Sequence, residues 1–550
     1  MSTEQTQTKA RGSWLRRLLR RIRRVSSGPP QLAGRFWRLL NYALELVLWS
    51  RIFAARKRRS RSLFDERQLT RKGVVTRPPQ LTLQGPGDLP ERFTTGFPRI
   101  YAMLLANLQP PNGPLTRFRH AQPGPAFHGV YLWDSAFIAL VWRYWDPQVA
   151  REVIESVIDL RYEDRLQHVV SEFTSSPYTQ PPLIAWSARK LAEAIEGPAR
   201  LDFVRAFYPA LVAYQGWLQR HRRLENGLYG WIHCYESGVE NAPRFSNRDE
   251  AELYDTQGWA APDFCAYVVL QLEALAWMAT QLGESAQSRK FTGEAETLAA
   301  QTRAFLWHAQ DGLFYDRHVQ SKKWRRVDTI ASLLPMAAGI SDANQAHRLR
   351  DRAMDPDQYG TWMPLPSVSA SSPHFEKDMW RGPVWLNTAY LVVEGLERGG
   401  YDDDAAQLGY RLSRGVIEVL HAEGDVFEFY DPQQPSIAEL SRKRGNLWKA
   451  LTLGTQPQRG FVGWSGLATT LFVEQVLGLK RVDGALVLKP RFPQEAIGWS
   501  GSLHLPVHAF TVTFEVHGGC RVGVRVPELE LQAEVAPGER IVMDARALTN

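Results

Sequence analysis

Two glutamates lie in one short polar stretch of the chain, residues 235–245, which reads YESGVENAPRF. Glu236 and Glu240 are separated by three residues, and Arg244 follows them. A glycine and a proline inside the stretch exclude a regular helix or a central strand. The sequence therefore predicts a loop that presents two carboxylates, an arginine and aromatic rings to a ligand.

Five further stretches lie at helix entrances, four of them combine polar and aromatic side chains, and the fifth places a glutamine before two prolines. They are residues 128–134 (HGVYLWD), 179–182 (TQPP), 380–387 (WRGPVWLN), 427–432 (FEFYDP) and 460–465 (GFVGWS). Each alone has a structural explanation: Trp133-Asp134 as a helix cap beside a core ring, or Trp380-Arg381 as a turn with a cation–π contact. Six such loops in one chain favour a site instead. Glycoside hydrolysis needs two carboxyl groups and rings that stack on sugars.

The elements that must position these loops are helices. From about residue 91 to residue 478, apolar residues recur with a spacing near 3.6 and predict about a dozen helices. Helix counting permits either a solenoid or a closed toroid of helical hairpins, and the absence of a fixed-length repeat argues against the solenoid. After residue 478, residues 510–516 and 522–526 alternate, and Gly518-Gly519 is typical of a hairpin turn. A small antiparallel β module is expected there.

The amino terminus has a different composition. Residues 1–61 hold sixteen Lys or Arg and two acids, a net charge of +14, so the rest of the chain carries −6 of the total of +8. Residues 14–25 place apolar side chains on one helical face and arginines on the others, which suits an anionic membrane surface. A disordered basic tail and an arginine-rich transit peptide remain alternatives. Residues 36–53 are apolar but interrupted by charges, which favours an interfacial or partner-bound segment over a spanning one.

These observations predict three regions: a basic N-terminal extension at 1–80, a helical catalytic body at 81–478 and a C-terminal β module at 479–550. A Pro/Gly linker at 76–90 lies across the boundary between the first two. The mildly acidic body argues against a nucleic-acid partner. The three cysteines are too scattered for a disulfide framework, and this fits a reducing, cytoplasmic location. No metal-binding, phosphate-loop or dinucleotide motif is present, so no metal or cofactor is expected. The sequence does not indicate the oligomeric state.

Taken in chain order, the six stretches resemble those of the (α/α)6-toroid glycoside hydrolases that include trehalases, processing α-glucosidases and mannosylglycerate hydrolases. The resemblance rests on five matches. They are YLWDS at 131–135, QPP at 180–182, ESGVENAPR at 236–244, WRGPVWLN at 380–387, and FEFY at 427–430 followed by GWS at 463–465. It covers residues 93–479, with the β module matched more loosely, and it is closest to the mannosylglycerate-hydrolase-like branch.

What the resemblance implies is a mainly α-helical toroid that acts as an inverting α-glycosidase on an α-glucoside or α-mannoside. Glu240 would be the general acid and Glu428 the general base that activates water. Further side chains would line the sugar pocket: Trp133, Asp134, Gln180, Glu236, Arg244, Trp380, Arg381, Asn387 and Trp464. A carbohydrate substrate and peripheral attachment to the inner face of a membrane through residues 1–61 complete the prediction.

One residue departs from the family pattern, because the acid position usually holds aspartate and here holds Glu240. The carboxyl of glutamate extends one methylene further, so the pocket must accommodate it. This difference keeps a second hypothesis open, a non-catalytic carbohydrate-binding or scaffolding protein that retains the toroid. A third hypothesis, an epimerase or lyase, would need a base such as His128, His233 or Tyr430.

Overall fold

The computed structural model describes residues 66–74, 76–113, 115–172, 174–195, 197–245, 256–444, 450, 453–482 and 485–543. The predicted amphipathic segment at 14–25 and the apolar segment at 36–53 lie outside these residues. Among the residues described, no helix has the length and apolar character that crossing a bilayer requires.

Helices are the main regular structure of the described chain. The α-helices are α1 (Glu66–Lys72), α2 (Leu89–Asn107), α3 (Leu132–Trp142), α4 (Pro147–Asp159), α5 (Ile184–Glu193), α6 (Gly197–His221), α7 (Cys234–Ser237), α8 (Pro262–Gln281), α9 (Ser285–Leu306), α10 (Ala343–Met354), α11 (Leu386–Arg398), α12 (Asp402–Glu423), α13 (Val462–Ser465) and α14 (Leu467–Leu471). A π-helical turn, Phe472–Val476, follows α14, and two 3₁₀ turns, Ile330–Ser332 and Leu334–Met336, lie between α9 and α10.

Local sequence sets several helix ends. Asp146 accepts hydrogen bonds from the backbone N–H groups of residues 148 and 149, and Pro147 occupies the first helical position of α4. Asp342 and Gln345 form a reciprocal capping box at the start of α10. Gly424, in the left-handed conformation with φ 77°, ends α12.

Six helical elements form a closed ring. Helix α3 packs against α5, α5 against α8, and α8 against the turn Leu334–Met336. That turn packs against α11, α11 against α14, and α14 returns to α3. Every residue of α3 is buried, as expected for a helix with neighbours on all sides.

A second set of helices covers this ring from outside. Helix α4 packs on α3, α6 on α5 and α8, α9 on α8, and α12 on α11 and α14. Helix α2 packs on α12 and on α13. Inner and outer helices alternate along the chain, so each consecutive pair is a helical hairpin.

The strands are β1 (Gln80–Gln84), β2 (Leu108–Gln109), β3 (His120–Ala121), β4 (Val130–Tyr131), β5 (Val169–Val170), β6 (Trp259–Ala260), β7 (Trp307–His308), β8 (Leu313–Phe314), β9 (Asp316–His318), β10 (Trp324–Arg325), β11 (Leu479–Val482), β12 (Ala485–Leu488), β13 (Ser500–Leu505), β14 (Phe510–Val516), β15 (Val522–Val526), β16 (Leu531–Val535) and β17 (Ile541–Met543). The largest sheet is antiparallel, with the order β1-β13-β14-β15-β16. A three-stranded sheet, β11-β12-β17, begins directly after the helical region in the sequence.

Two local expectations differ from the structure. Residues 80–84 belong to a strand rather than to a linker, because β1 pairs with β13 from Gln80 opposite His504 to Gln84 opposite Ser500. The helical pattern at 330–340 forms two 3₁₀ turns instead of one α-helix. Pro335 has no N–H to donate and disfavours α geometry at the residue before it.

Candidate active site

The predicted pocket residues lie at the amino-terminal ends of the ring helices. Trp133 and Asp134 are in the first turn of α3, and Asn387 is in the first turn of α11. Gln180 precedes α5, and its side-chain oxygen accepts a hydrogen bond of 3.3 Å from the backbone N–H of Trp133. Trp464 lies in α13, directly before α14. The ring therefore gathers these loops at one end, which we call the mouth.

Four tryptophans form a continuous cluster at the mouth. Trp133 lies with its ring centroid 6.1 Å from that of Trp380 and 5.7 Å from that of Trp464. Trp380 stacks face to face on Trp385 with a centroid distance of 3.7 Å, and Trp385 lies 5.5 Å from Trp464. All four side chains are buried, so the cluster forms a rigid apolar surface next to the polar side chains of the mouth.

Glu240 lies in the loop that follows the short helix α7. Gly238 ends that helix with φ 73°, and a Cβ at this position would lie 2.4 Å from the ring of Trp133. The chain thus passes directly over the tryptophan cluster before it reaches Glu240. The side chain of Glu240 is 18% exposed, and its Oε1 lies 3.2 Å from Nζ of Lys443.

Glu428 is held from several sides. Its backbone N–H donates to the carbonyl of Gln458 at 3.0 Å, and its own carbonyl accepts from the indole N–H of Trp464 at 2.7 Å. Its carboxylate forms a buried ion pair with the guanidinium of Arg442. The same loop is fixed through Tyr430, whose hydroxyl donates to the Ser465 hydroxyl at 2.8 Å.

Asp134 is a carboxyl group in an environment that disfavours its charge. It is buried, and this burial raises the pKa of Asp134 to about 8, with a further contribution from the negative charge of Glu240. The protonated form of Asp134 is therefore favoured at neutral pH.

The loop of Trp380 and Arg381 joins the Glu240 loop through Asn241. The backbone N–H of Trp380 donates to Oδ1 of Asn241 at 3.0 Å, and Arg381 donates to the Asn241 carbonyl at 3.4 Å. Arg381 also pairs with Glu376 at 3.2 Å. These bonds set the position of the residue next to Glu240.

Glu236 and Arg244 support the site from behind instead of facing the mouth. Glu236 is 0% exposed, and its two oxygens accept hydrogen bonds of 2.6 and 2.9 Å from Arg222. Arg244 is buried between Asp263 and Asp316, and its Nη1 lies 2.9 Å from Asp316. Burial lowers the pKa of Arg244, but the two aspartates outweigh this effect and hold it above its usual value. Both residues were predicted to bind substrate, and this stays a prediction; the structure shows each of them in a buried ion pair.

Asn387 has unused hydrogen-bonding capacity. It is 0% exposed, and in the described part of the chain neither its Oδ1 nor its Nδ2 has a hydrogen-bond partner. A buried amide without partners costs several kcal/mol, roughly 1–3 for each group. A water or ligand group at the base of the mouth would remove that cost.

Two of the alternative bases, His233 and Tyr430, form hydrogen bonds within the protein. His233 caps α7, since its Nδ1 accepts a hydrogen bond of 3.2 Å from the Tyr235 N–H, and its ring stacks on Tyr178. Burial raises the pKa of Tyr430 above its usual value, and its hydroxyl is bonded to Ser465. Neither residue is poised to remove a proton from a substrate.

Sequence reasoning missed Arg442, Lys443 and Asn241. The first two follow the Glu428 loop within the basic run RKR at 442–444, and that run was the available signal. The pairing of consecutive cations with two distant carboxylates is visible only in three dimensions.

A ring of helical hairpins with carboxylates and stacked tryptophans at its mouth defines a glycoside hydrolase. Residues 128–444 match the family described as mannosylglycerate hydrolase MGH1-like glycoside hydrolase domain. The match covers more than half of the chain, and the protein belongs to this family.

Individual relatives agree with this assignment. Mannosylglycerate hydrolase MGH1 of Selaginella moellendorffii is 27% identical over 377 residues, which cover 54% of this chain and 75% of that protein. Mannosylglycerate hydrolase of Thermus thermophilus is 27% identical over 379 residues, 56% of this chain and 90% of that protein. The fold is similar to the crystal structure of a GH63 mannosylglycerate hydrolase from Thermus thermophilus in complex with Tris, with a TM-score of 0.55, 22% identity, and coverage of 68% of this chain and 98% of that one.

Proposed function

We propose that the protein is an inverting α-glycosidase, that its helical ring is the inner layer of an (α/α)6 toroid, and that Glu240 and Glu428 are its acid and base. One observation carries the proposal: the consecutive residues Arg442 and Lys443 contact Glu428 and Glu240, respectively. Two carboxylates separated by 188 residues in sequence therefore contact the same short segment of the chain. Together with the tryptophan cluster, this is what hydrolysis of a glycosidic bond requires.

Each carboxylate has a different task in this mechanism. Glu240 donates a proton to the glycosidic oxygen as the bond to the sugar carbon breaks. Glu428 removes a proton from a water molecule that attacks the same carbon from the opposite face, which inverts its configuration. Arg442 favours the ionised form of Glu428 and thus suits it to the role of base.

The remaining residues orient the sugar. Asp134, protonated at neutral pH, donates a hydrogen bond to a sugar hydroxyl. Asn387 supplies an amide for a second hydroxyl or for a water beneath it. Trp133 and Trp380 limit the depth of the pocket and exclude solvent from the reacting carbon.

A small α-mannoside or α-glucoside with an anionic aglycone fits this site best. The relatives are named mannosylglycerate hydrolases, and Lys443 supplies a positive charge beside the acid, where the aglycone leaves. Disaccharides and oligosaccharides are the alternatives, and they lack the negative charge that this cation would attract.

The experiment incubates the full protein chain with each of several substrates: mannosylglycerate, glucosylglycerate, trehalose, and malto- and isomalto-oligosaccharides. Proton NMR then identifies the anomer that is released. We expect release of the inverted anomer from a glycosylglycerate. Glu240→Gln and Glu428→Gln should each lower kcat at least ~100-fold. A retained anomer would exclude the inverting mechanism, and unchanged rates in both variants would exclude the assigned roles.

A second candidate function is carbohydrate binding without turnover. The observation that favours it is the salt bridge between Glu240 and Lys443, which stabilises the ionised form of the group that must be a proton donor. Calorimetric binding of a sugar, together with no hydrolysis of any glycoside in the panel, would support this alternative.

A further inference from the structure

The segment that carries Lys443 is fixed by backbone hydrogen bonds on both sides. The Ser441 N–H donates to the Lys377 carbonyl at 2.8 Å, and the Arg442 N–H donates to the Thr455 carbonyl at 2.9 Å. The Arg444 N–H donates to the carboxylate of Asp378 at 3.1 Å. Lys443 itself has φ 51°, a left-handed conformation that costs a non-glycine residue on the order of 1 kcal/mol. The fold thus holds this lysine in one place at a cost in backbone strain.

The ammonium of Lys443 is almost completely removed from solvent. Its side chain is 1% exposed, and Nζ lies 5.4 Å from the ring centroid of Tyr235 and 3.2 Å from Oε1 of Glu240. Burial makes its interaction with Glu240 much stronger than that of a surface pair. Since the carboxylate is the more exposed partner, at 18%, a ligand that enters the mouth meets Glu240 first and reaches the lysine by displacing that carboxylate.

Lys443 opposes the role of Glu240 as an acid, because a neighbouring cation favours the ionised carboxylate. Burial raises the pKa of the nearby Asp134 to about 8, which favours its neutral form at pH 7. Asp378, on the neighbouring segment, accepts its backbone hydrogen bond from Arg444. Burial raises the pKa of Asp378 above its usual value. A negative charge that competes with Glu240 for Lys443 would therefore favour the protonated form of the acid.

We propose that Lys443 is a positioning residue that makes the acidity of Glu240 depend on the charge of the aglycone. This inference rests on the proposed function. A carboxylate on the aglycone binds the ammonium of Lys443 in place of Glu240. The freed Glu240 carboxylate, now next to a neutralised cation and a neutral Asp134, takes up one proton from solvent. A neutral aglycone leaves the Glu240–Lys443 pair intact and the acid ionised.

The proton balance closes over one turnover. Glu240 gains a proton from solvent on binding and transfers it to the glycosidic oxygen as the bond breaks. Glu428 takes a proton from the attacking water, whose oxygen forms the new bond to the sugar carbon. The protonated Glu428 then returns its proton to solvent, and departure of the anionic product restores the Glu240–Lys443 pair. No oxidant, reductant or further reactant is needed.

The first test measures protons instead of turnover. Binding of D-glycerate and of glycerol to the full chain is followed by titration calorimetry at about pH 6.5 in buffers of different ionisation enthalpy. At this pH Asp134, with a pKa of about 8, already holds its proton, so uptake reports on Glu240. We expect uptake approaching one proton with glycerate and none with glycerol. Failure of glycerate to bind, or binding without proton uptake, would overturn the inference.

The second test compares kcat/KM for a glycosylglycerate with that for the uncharged glycosylglycerol. The wild-type ratio should exceed about tenfold, the equivalent of one pKa unit of the acid, and Lys443→Gln should reduce it to within about threefold. Lys190→Gln is the control, because Lys190 forms an ion pair with Glu394 at 2.7 Å in the last turn of α5, at the opposite end of the ring helix from the mouth. A ratio that persists in Lys443→Gln would overturn the inference and leave the glycosidase proposal intact. A wild-type protein that takes up the proton but hydrolyses neither glycoside would refute the glycosidase proposal alone.

Discussion

Arg222 donates two hydrogen bonds, of 2.6 and 2.9 Å, to the carboxylate of Glu236, and both side chains are buried. Glu236 also accepts a hydrogen bond of 3.3 Å from the backbone N–H of Thr179, next to Gln180. The Arg222–Glu236 ion pair therefore connects two parts of the site. One is the start of the Glu240 loop, and the other is the segment of Thr179 and Gln180, which accepts a hydrogen bond from Trp133. Its effect on the site is mechanical, because neither partner has a free face toward the mouth.

Glu236→Gln should lower the free energy of unfolding by about 3–5 kcal/mol, because the buried charge of Arg222 loses its counter-ion. The double variant Arg222→Met/Glu236→Leu should lose less, since no charge is left uncompensated. Urea unfolding of the full chain measures both. Asp202→Asn, which removes the exposed pair with Arg205, is the control and should change stability by less than about 1 kcal/mol. A Glu236→Gln variant as stable as the wild type would contradict the structural role.

Glu240→Asp tests the residue that departs from the family pattern. The shorter side chain retracts the carboxyl by about one methylene from a site that the fixed Lys443 and Asn241 shape around glutamate. We expect kcat to fall about 100-fold, the loss that a misplacement near 1 Å causes. Initial rates on a glycosylglycerate provide the measurement, with the exposed Glu225→Asp as the control. A rate equal to or above that of the wild type would show that the pocket accepts either length.

Asp134→Asn tests the neutral carboxyl at the mouth. Between about pH 4 and pH 8 the folded protein holds a proton on Asp134 that the unfolded chain releases, because the folded pKa is about 8 and the usual value is 3.8. This contribution to stability is complete below about pH 4 and decreases as the pH rises through 8.

Relative to the wild type, Asp134→Asn should therefore gain stability with rising pH, by about 1.4 kcal/mol for each pH unit between about 5 and 7, with a plateau above about 8. Urea unfolding at each pH provides the measurement, and the exposed Asp357→Asn should show no such slope. A stability difference independent of pH would show that Asp134 is ionised in the folded protein.

Much of the fold follows from periodicity in the sequence. The apolar pattern of residues 405–420 predicted a helix that the structure extends to Asp402–Glu423, and the alternation at 510–516 predicted β14. The strand β1 was hidden by the prolines and glycines on either side of it, and its pairing with β13 depends on residues about 420 positions away. Local composition cannot reveal a partner at that distance.

The site was predictable where one residue type dominates the chemistry. The loops before the helices were noticed from their composition, the family resemblance assigned Trp133, Asp134 and Gln180 to the pocket, and the structure brings Trp133 and Gln180 into contact at the mouth. Glu236 and Arg244 were assigned in the same way, and only the structure shows that both lie in buried ion pairs. Lys443 could not be assigned from sequence because a basic run is most often a solvated surface.

Residues 1–61 remain predicted to attach the protein to an anionic membrane. Their net charge of +14 should bind vesicles that contain phosphatidylserine and leave neutral phosphatidylcholine vesicles unbound. Sedimentation with each vesicle type at low and at high salt measures this, and binding should weaken as salt rises. Deletion of residues 1–61 should abolish it. A truncated protein that still sediments with anionic vesicles would contradict the prediction.

Gly238→Ala should lower activity by more than the backbone strain of the substitution explains. Gly238 and Gly283 have φ values of 73° and 77°, so an alanine strains the backbone at either position by about 1 kcal/mol. They differ in their surroundings, because a Cβ at 238 would lie 2.4 Å from Trp133, whereas nothing lies within 4 Å of one at 283. Gly283→Ala is therefore the matched control: both variants should lose similar backbone stability.

Only Gly238→Ala should displace Trp133 or the Glu240 loop and lower kcat/KM by about 100-fold. Initial rates and urea unfolding of the two variants separate these effects. Equal rates in both would mean that the close approach of residue 238 to Trp133 does not position the acid.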